Sequence, residues 1–314
     1  MRTLVVGAGA IGGYFGGRLL AAGRDVTFLV RARRAQQLVK SGLAIRSAAG
    51  NVDIPNPPVV QAETLRDAFD LILLSCKAYD LDAAISSIAP AVGPHTRILP
   101  LLNGIRHLDV LEAKFGKDAV LGGQCFISAA LDSDGRILHL NNTHSVTFGE
   151  RSGIQTPSAA AIRNELAGAG FDLSLSESIL QDMWEKWVFL ASLAGLTCLM
   201  RASIGDIVAA DGPGTANAML NDCADIARSA GFGPSASAIR RGQAALTASG
   251  STLTASMLRD IEQGAPTEGE HILGDLVRRQ NGASRSNSLL QLAYTHVKSY
   301  EMRRVREAAS HDNT

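Results

Sequence analysis

The chain has 314 residues, 46% hydrophobic and 19% charged, enough apolar material for about two domains and too much for a disordered chain. Lysine plus arginine and aspartate plus glutamate number 30 each, and a net charge of zero excludes a general nucleic-acid or membrane-surface binder. The four cysteines, Cys76, Cys125, Cys198 and Cys223, lie far apart without CxxC spacing and read as buried thiols of a reducing cytoplasm. The histidines show no ligand spacing, so no metal is expected, and no run approaches a membrane span.

Arg2-Thr3-Leu4-Val5-Val6 is a short apolar run, entered directly with no charged leader, and Ala10 to Ala22 carries an apolar, Gly/Ala-rich helical pattern. Between them stands Gly7-Ala8-Gly9-Ala10-Ile11-Gly12, a GxGxxG turn leading from a strand into a helix. In that setting Gly7 permits the tight turn, Gly9 lets a pyrophosphate approach the backbone, and Gly12 lets helix and strand pack closely. The helix opened by Ala10 and Ile11 offers N–H groups and a positive dipole end to phosphates. A dinucleotide is therefore expected here.

Asp25 to Val30 reads as the second strand of a βαβ unit. A carboxylate at its end would mark a bare ribose 2′-OH, but this strand ends in Arg31, with Arg33 and Arg34 following. A guanidinium grips a 2′-phosphate through paired hydrogen bonds, so NADP(H) is the expected cofactor and Arg31 its contact. A solvated helix start whose arginines contact nothing specific is the competing reading.

Leu43 to Arg46 and Val52 to Ile54 read as short strands around Gly50-Asn51. Asp70 to Ser75 is a near-continuous apolar run, as in a buried parallel strand, and delivers Cys76-Lys77-Ala78-Tyr79 to the carboxyl end of the sheet. Lys77 there is a candidate cofactor contact or an exposed loop lysine. Arg97 to Leu102 is the next strand and ends in Asn103-Gly104, where Asn103 either turns the chain or offers its amide to nicotinamide or substrate. Gly122 to Ala130, Arg136 to Leu140 and Ser145 to Gly149 follow as strands around the turn Asp132-Ser133-Asp134-Gly135, predicting an antiparallel extension of the sheet. Pro157 to Gly170 reads as a helix and Phe171 to Leu173 as a last strand.

The period then becomes helical, dividing the chain into a dinucleotide-binding domain over 1–174 and an all-helical domain over 175–314. Helices are predicted over Ser178–Met200, Asp206–Ala230, Pro234–Ala248, Met257–Gly264, Glu268–Gln280 and Ser286–Glu307, with Asn287 near the start of the last; no internal repeat is visible. Lys186 lies within Trp184-Glu185-Lys186-Trp187-Val188-Phe189. A desolvated lysine can serve as a general acid, while a snorkelling lysine is the alternative. Thr267 reads as a helix cap with Glu268 and Glu270 as first-turn acids, and Ser256 as an N-cap.

Taken in order, Gly7 to Gly12, Arg31, Cys76-Lys77-Ala78, Leu102-Asn103-Gly104, Trp184 to Trp187, Ser256-Met257-Leu258-Arg259-Asp260 and Thr267-Glu268 resemble the ketopantoate reductase (2-dehydropantoate 2-reductase) family nearly end to end. The resemblance implies an α/β protein in which a Rossmann-type domain precedes a helical one, with the active site in the cleft between them. It implies that Arg31 and Lys77 serve NADPH, that Lys186 is the general acid, and that Asn103, Ser256 and Glu268 surround the substrate. It further implies reduction of a 2-keto acid, foremost ketopantoate to pantoate in pantothenate biosynthesis. The family's pantoate-forming members carry asparagines four and eight residues after the lysine; here Leu190 and Ala194 stand there, which suits a less polar keto acid or ketone. The other readings are a non-catalytic NADP(H)-binding sensor and a dehydrogenase of the 6-phosphogluconate or hydroxyisobutyrate type. The expected partner is a small-molecule keto acid, without nucleic acid or membrane, a homodimer being the one assembly left open.

Overall fold

The structure is a computed structural model and describes residues 1–280 and 288–311; the expected helix start at Ser286 and Asn287 lies outside these residues. It divides into two units, Met1–Ile179 and Leu180–Thr314.

In the first unit the elements run β1 (Thr3–Val6), α1 (Ala10–Ala21), β2 (Val26–Leu29), α2 (Ala32–Ser41), β3 (Leu43–Arg46), β4 (Val52–Ile54), β5 (Val59–Val60), β6 (Phe69–Leu74), α3 (Leu81–Ile88), β7 (Val92–Pro100), α4 (Arg106–Phe115), β8 (Gly122–Leu131), β9 (Ile137–Gly149), α5 (Pro157–Leu166) and β10 (Asp172–Leu175). The first sheet has the order β5-β2-β1-β6-β7, and every pair in it is parallel. All four residues of β1 are buried, as expected for a strand covered on both faces.

The later strands do not extend this sheet, as the sequence pattern predicted. They form a second sheet of order β10-β9-β3-β4, with β8 pairing antiparallel to β9. Nor does β9 break after Leu140: it runs through Asn141–His144 and pairs parallel with β3 at one end and β10 at the other. The polar stretch stays extended because it finds partners. Asn141 Oδ1 accepts the Ser128 N–H beside the register shift in β8, and His144 Nδ1 lies 2.6 Å from the Tyr14 hydroxyl of α1. Propensity yields here to tertiary contacts.

Helix α1 contacts both sheets, and its glycines explain how. A Cβ at Gly16 would stand 2.6 Å from Phe28 of β2, whereas one at Gly13 or Gly17 would strike Ile137 of β9 or Ile45 and Leu43 of β3. Each glycine costs about 0.5–1 kcal/mol of helix propensity relative to alanine, offset by backbone approach to both layers. The apolar side chains of β1, β2, β6 and β7 join those of β3, β8 and β9 in one buried cluster around Tyr14, Phe15 and Leu19.

The second unit contains α6 (Ile179–Met200, whose first residue belongs to the first unit), α7 (Ile204–Ala209), α8 (Pro213–Ser229), α9 (Ala236–Leu246), α10 (Ser256–Glu262), a π-helical turn over Glu270–Gly274, α11 (Asp275–Arg278) and α12 (Leu289–His311). The single helix expected over Asp206–Ala230 is two. Ser203 and Asp206 form a reciprocal capping box that starts α7, Asp211 adopts φ 60°, and Pro213 takes the first turn of α8. Gly195 of α6 lets Met219 of α8 and Ala293 of α12 approach to about van der Waals contact. Among the described residues no helix is long and apolar enough to cross a membrane.

Candidate functional site

Because the strands of the first sheet are parallel, their carboxyl ends share one edge, where open α/β sheets bind ligands. Four candidate segments arrive there: Gly7–Gly12 from β1, Arg31 from β2, Cys76–Asp80 from β6, and Asn103 after β7.

The glycine turn is built as a cradle. Gly7 has φ 92°, a conformation that favours glycine, and its N–H donates to Leu29 O at 2.9 Å. A Cβ at Gly12 would lie 2.1 Å from the Gly7 carbonyl oxygen and 2.2 Å from Ser75 Oγ, so no side chain fits between helix and strand. A Cβ at Gly9 meets nothing within 4 Å. Gly9 is the N-cap of α1, with no side chain capping it and no acid in the first turn, so no acid of the helix's own first turn competes for the N–H groups around half-buried Ala10 and Ile11. These features fit a dinucleotide pyrophosphate.

Arg31 caps α2 and leaves 75% of its side chain exposed. Though exposed, it is paired: its Nη2 lies 2.5 Å from Asp80 Oδ1, and the hydrogen bond and charge of Asp80 raise its pKa above the ordinary arginine value. Arg33 is exposed, whereas Arg34 turns inward. Its Nε donates to Ala8 O at 2.9 Å and its Nη1 to Gly135 O at 3.1 Å, tying the glycine turn to the β8–β9 hairpin; burial lowers its pKa. Nothing local in the sequence separates Arg34 from its neighbours, because its partners come from distant segments. Lys77 is half-buried just before a 3-10 turn at Ala78–Asp80, and Asn103 is half-buried in the loop before α4.

The remaining candidates belong to the second unit. Lys186, 8% exposed, lies on α6 beside Trp184 and Trp187, whose rings pack at 4.9 Å. Phe232 stacks on Trp184, and the Arg279 guanidinium stands within 6 Å of both indoles. The Trp187 indole N–H donates to Ile272 O at 2.9 Å, seating α6 against the π-helical turn that follows Glu268. Glu268 is 7% exposed. Its approach is fixed by α12: the Thr267 N–H donates to Glu301 Oε1 at 2.6 Å and the Tyr300 hydroxyl to Ala265 O at 2.8 Å. Thr267 Oγ1 accepts the Gly269 N–H, as a cap does, but the helix expected over Glu268–Gln280 is the π-helical turn plus α11. π-turns recur at functional sites.

Glu270 is no simple first-turn acid. It receives Arg278, Tyr294 and Lys298. Ser256 is not an N-cap: it is the exposed first residue of α10, capped by Ala255, whose N–H donates to Thr197 Oγ1 at 3.3 Å. Of the two positions that differ from the pantoate-forming pattern, Leu190 is half-buried and Ala194 is 2% exposed. The Ser192 and Thr197 hydroxyls donate to Val188 O and Leu193 O within their own helix. The sequence reading missed His271 and Asp275, both buried. Burial does not set them apart, because residues 267–277 are all buried except Glu270. Burial pushes the Cys198 and Cys223 thiols up to about 12, so neither is a nucleophile near neutral pH.

Residues 3–153 match the family model described as ketopantoate reductase PanE/ApbA, and residues 178–301 match that of its C-terminal domain. An uncharacterized oxidoreductase, YkpB of Bacillus subtilis strain 168, is 38% identical over 302 residues, covering 96% of this chain and 99% of its own. The crystal structure of 2-dehydropantoate 2-reductase from Methylococcus capsulatus, 26% identical, superposes with a TM-score of 0.84 over 97% of this chain and 98% of its own. A ternary structure of D-mandelate dehydrogenase with NADH and anilino(oxo)acetate shares the fold at a TM-score of 0.85, with 22% identity, over 97% and 99% of the two chains. With both family models matched along most of its length, the chain belongs to the ketopantoate reductase PanE/ApbA family of oxidoreductases.

Proposed function

We propose that the protein reduces a 2-keto acid to the 2-hydroxy acid with NADPH, ketopantoate being the first substrate to test. The observation that carries this reading is Lys186, a lysine held 8% exposed on α6 at the position of the family's general acid. Gly7, Gly9, Ala10, Ile11 and Gly12 hold the pyrophosphate, Arg31 the 2′-phosphate, and Lys77 and Asn103 the rest of the cofactor. A bound reduced nicotinamide supplies the hydride. Lys186 polarises the ketone oxygen through its ammonium and donates the proton to it. Glu268 serves as the lysine's counter-charge, and Asn103 and Ser256 orient the substrate. Outside the keto-acid head, Leu190 and Ala194 favour a less polar substrate than ketopantoate, and this is the second reading. The same fold serves the D-mandelate dehydrogenase.

The experiment is a panel: NADPH and NADH oxidation with ketopantoate and with branched and aromatic 2-keto acids, beside NADP reduction with 3-hydroxy acids. Oxidation with 2-keto acids supports the proposal, and its distribution over the panel separates the two readings. Turnover of 3-hydroxy acids alone points to an oxidative dehydrogenase. Cofactor binding without any turnover points to a sensor.

A further inference from the structure

The ribose end of the dinucleotide edge holds a charge that the arginine reading leaves unused. In the first sheet β2 and β6 flank β1, so the Arg31–Asp80 pair, 49 residues apart in sequence, spans the carboxyl end of β1 beside the glycine turn. Its carboxylate is 33% exposed and its guanidinium 75% exposed, so both partners remain reachable by a ligand. The exposed Tyr79 and half-buried Cys76 of the same loop also lie within electrostatic reach of Arg31.

We infer that Asp80 is a specificity-determining residue at the ribose subsite, acting against Arg31 to set how strongly the enzyme prefers NADPH over NADH. This rests on the proposed placement of the dinucleotide along the β1 edge. Two ligands meet the pair differently. A ribose 2′-OH donates to the Asp80 carboxylate and accepts from the Arg31 fork, so it uses both charges as they stand. A 2′-phosphate takes the fork but must displace Asp80 from it and then lies beside a like charge. Asp80 therefore favours the unphosphorylated cofactor, Arg31 the phosphorylated one, and the pair holds the preference below what an unopposed arginine gives.

The test measures dissociation constants for NADPH and NADH by reduced-nicotinamide fluorescence in the wild type, Asp80→Asn, Asp80→Ser and Arg31→Ala, at low and high salt. Asp80→Asn keeps a hydrogen-bond acceptor for Arg31 and removes the charge. It should tighten NADPH about fivefold, the scale of one exposed ion-pair contact, leave NADH unchanged or weaker, and lose part of this difference in high salt. Asp80→Ser should move the ratio in the same direction, and thermal melting reports whether either variant is misfolded. An unchanged ratio, or weaker NADPH binding in both variants, overturns the inference and leaves Asp80 as a support for the arginine. Failure of the underlying placement looks different: Arg31→Ala then leaves both cofactors unaffected, or the wild type binds neither, and the role of Asp80 falls with it.

Discussion

Two alanine substitutions in the glycine turn separate folding from binding. In Gly12→Ala the new Cβ stands 2.1 Å from Gly7 O, 2.2 Å from Ser75 Oγ and 3.2 Å from Val5 Cγ1, the first more than an ångström short of ordinary contact. The nearest obstacle cannot yield, because it is backbone in a turn fixed at φ 92°, and the second is committed to Val6 O at 2.8 Å. Relief requires lifting α1 off β1 or breaking the Ser75 bond. Overpacking costs about 1–3 kcal/mol and a lost buried hydrogen bond about 1 more, so about 2–4 kcal/mol is expected. In a unit of this size that lowers the melting temperature by roughly 10 °C. Gly9→Ala is the opposite case. Its φ of −79° and ψ of −162° suit alanine, and its Cβ meets nothing, so stability should stay within about 0.5 kcal/mol. Under the proposed function that open space receives the pyrophosphate, so cofactor affinity should fall at least about tenfold. Differential scanning fluorimetry with and without cofactor, beside fluorescence titration, reads both effects. A Gly9→Ala protein that binds like wild type refutes the cradle, and a Gly12→Ala protein that melts like wild type refutes the packing argument.

Lys186→Ala should lower kcat about a hundredfold or more in single-turnover reduction while leaving the NADPH dissociation constant within about twofold, since Lys186 lies in the unit without the glycine turn. Leu190→Asn, at a half-buried position, should raise kcat/KM for ketopantoate with little change in melting; Ala194→Asn, at 2% exposure, should cost about 1–3 kcal/mol unless its amide finds a partner, which denaturant melts will show. Burial pulls the Glu270 carboxyl up, but bonds from Tyr294, Arg278 and Lys298 outweigh it and hold the pKa at about 2. Because the folded value is depressed, this stabilisation is present above 4.5 and lost as pH falls toward 2, and Glu270→Gln should flatten melting curves across that window. At neutral pH it should cost about 1 kcal/mol, less than the shift alone suggests, because 46% of the side chain is exposed.

What could be read from the sequence is what local physics decides. The strand, glycine turn and helix of residues 3–21 carry their own signal: an apolar run, a turn needing glycine, then helical spacing. So does α6, whose apolar residues outrun any strand. The break at Asp211–Pro213 was missed, since one helix was expected over Asp206–Ala230, although Ser203 with Asp206 and Gly212 with Pro213 are local signals for one helix start and then another. The second sheet was not, because β9 is held straight by partners from β8 and α1, the latter 130 residues away. The same reason hides Asp80 and Arg34. Each looks like an ordinary surface charge until the fold sets it against a partner 49 residues distant in one case and 101 in the other. The π-turn at Glu270–Gly274 has the composition of an α-helix, and only the contacts of its neighbours distinguish it.

The side chains of α6 bear on how selective such an enzyme can be. A site rejects an analogue strongly when the analogue leaves a buried polar group unpaired, and only about 10- to 200-fold when it merely fills an apolar surface less well. On α6 the Ser192 and Thr197 hydroxyls are satisfied within the helix, Thr197 also accepting the Ala255 N–H, and Leu190 and Ala194 offer no hydrogen bond. Under the proposed function, Lys186 acts on the part of the substrate that every 2-keto acid shares. Under the proposed function, α6 therefore contributes the proton but little discrimination among substrate tails. The profile across the keto-acid panel should then be graded by size and shape rather than all-or-none. A single substrate preferred by more than about ten-thousandfold would mean that polar recognition comes from elements other than α6.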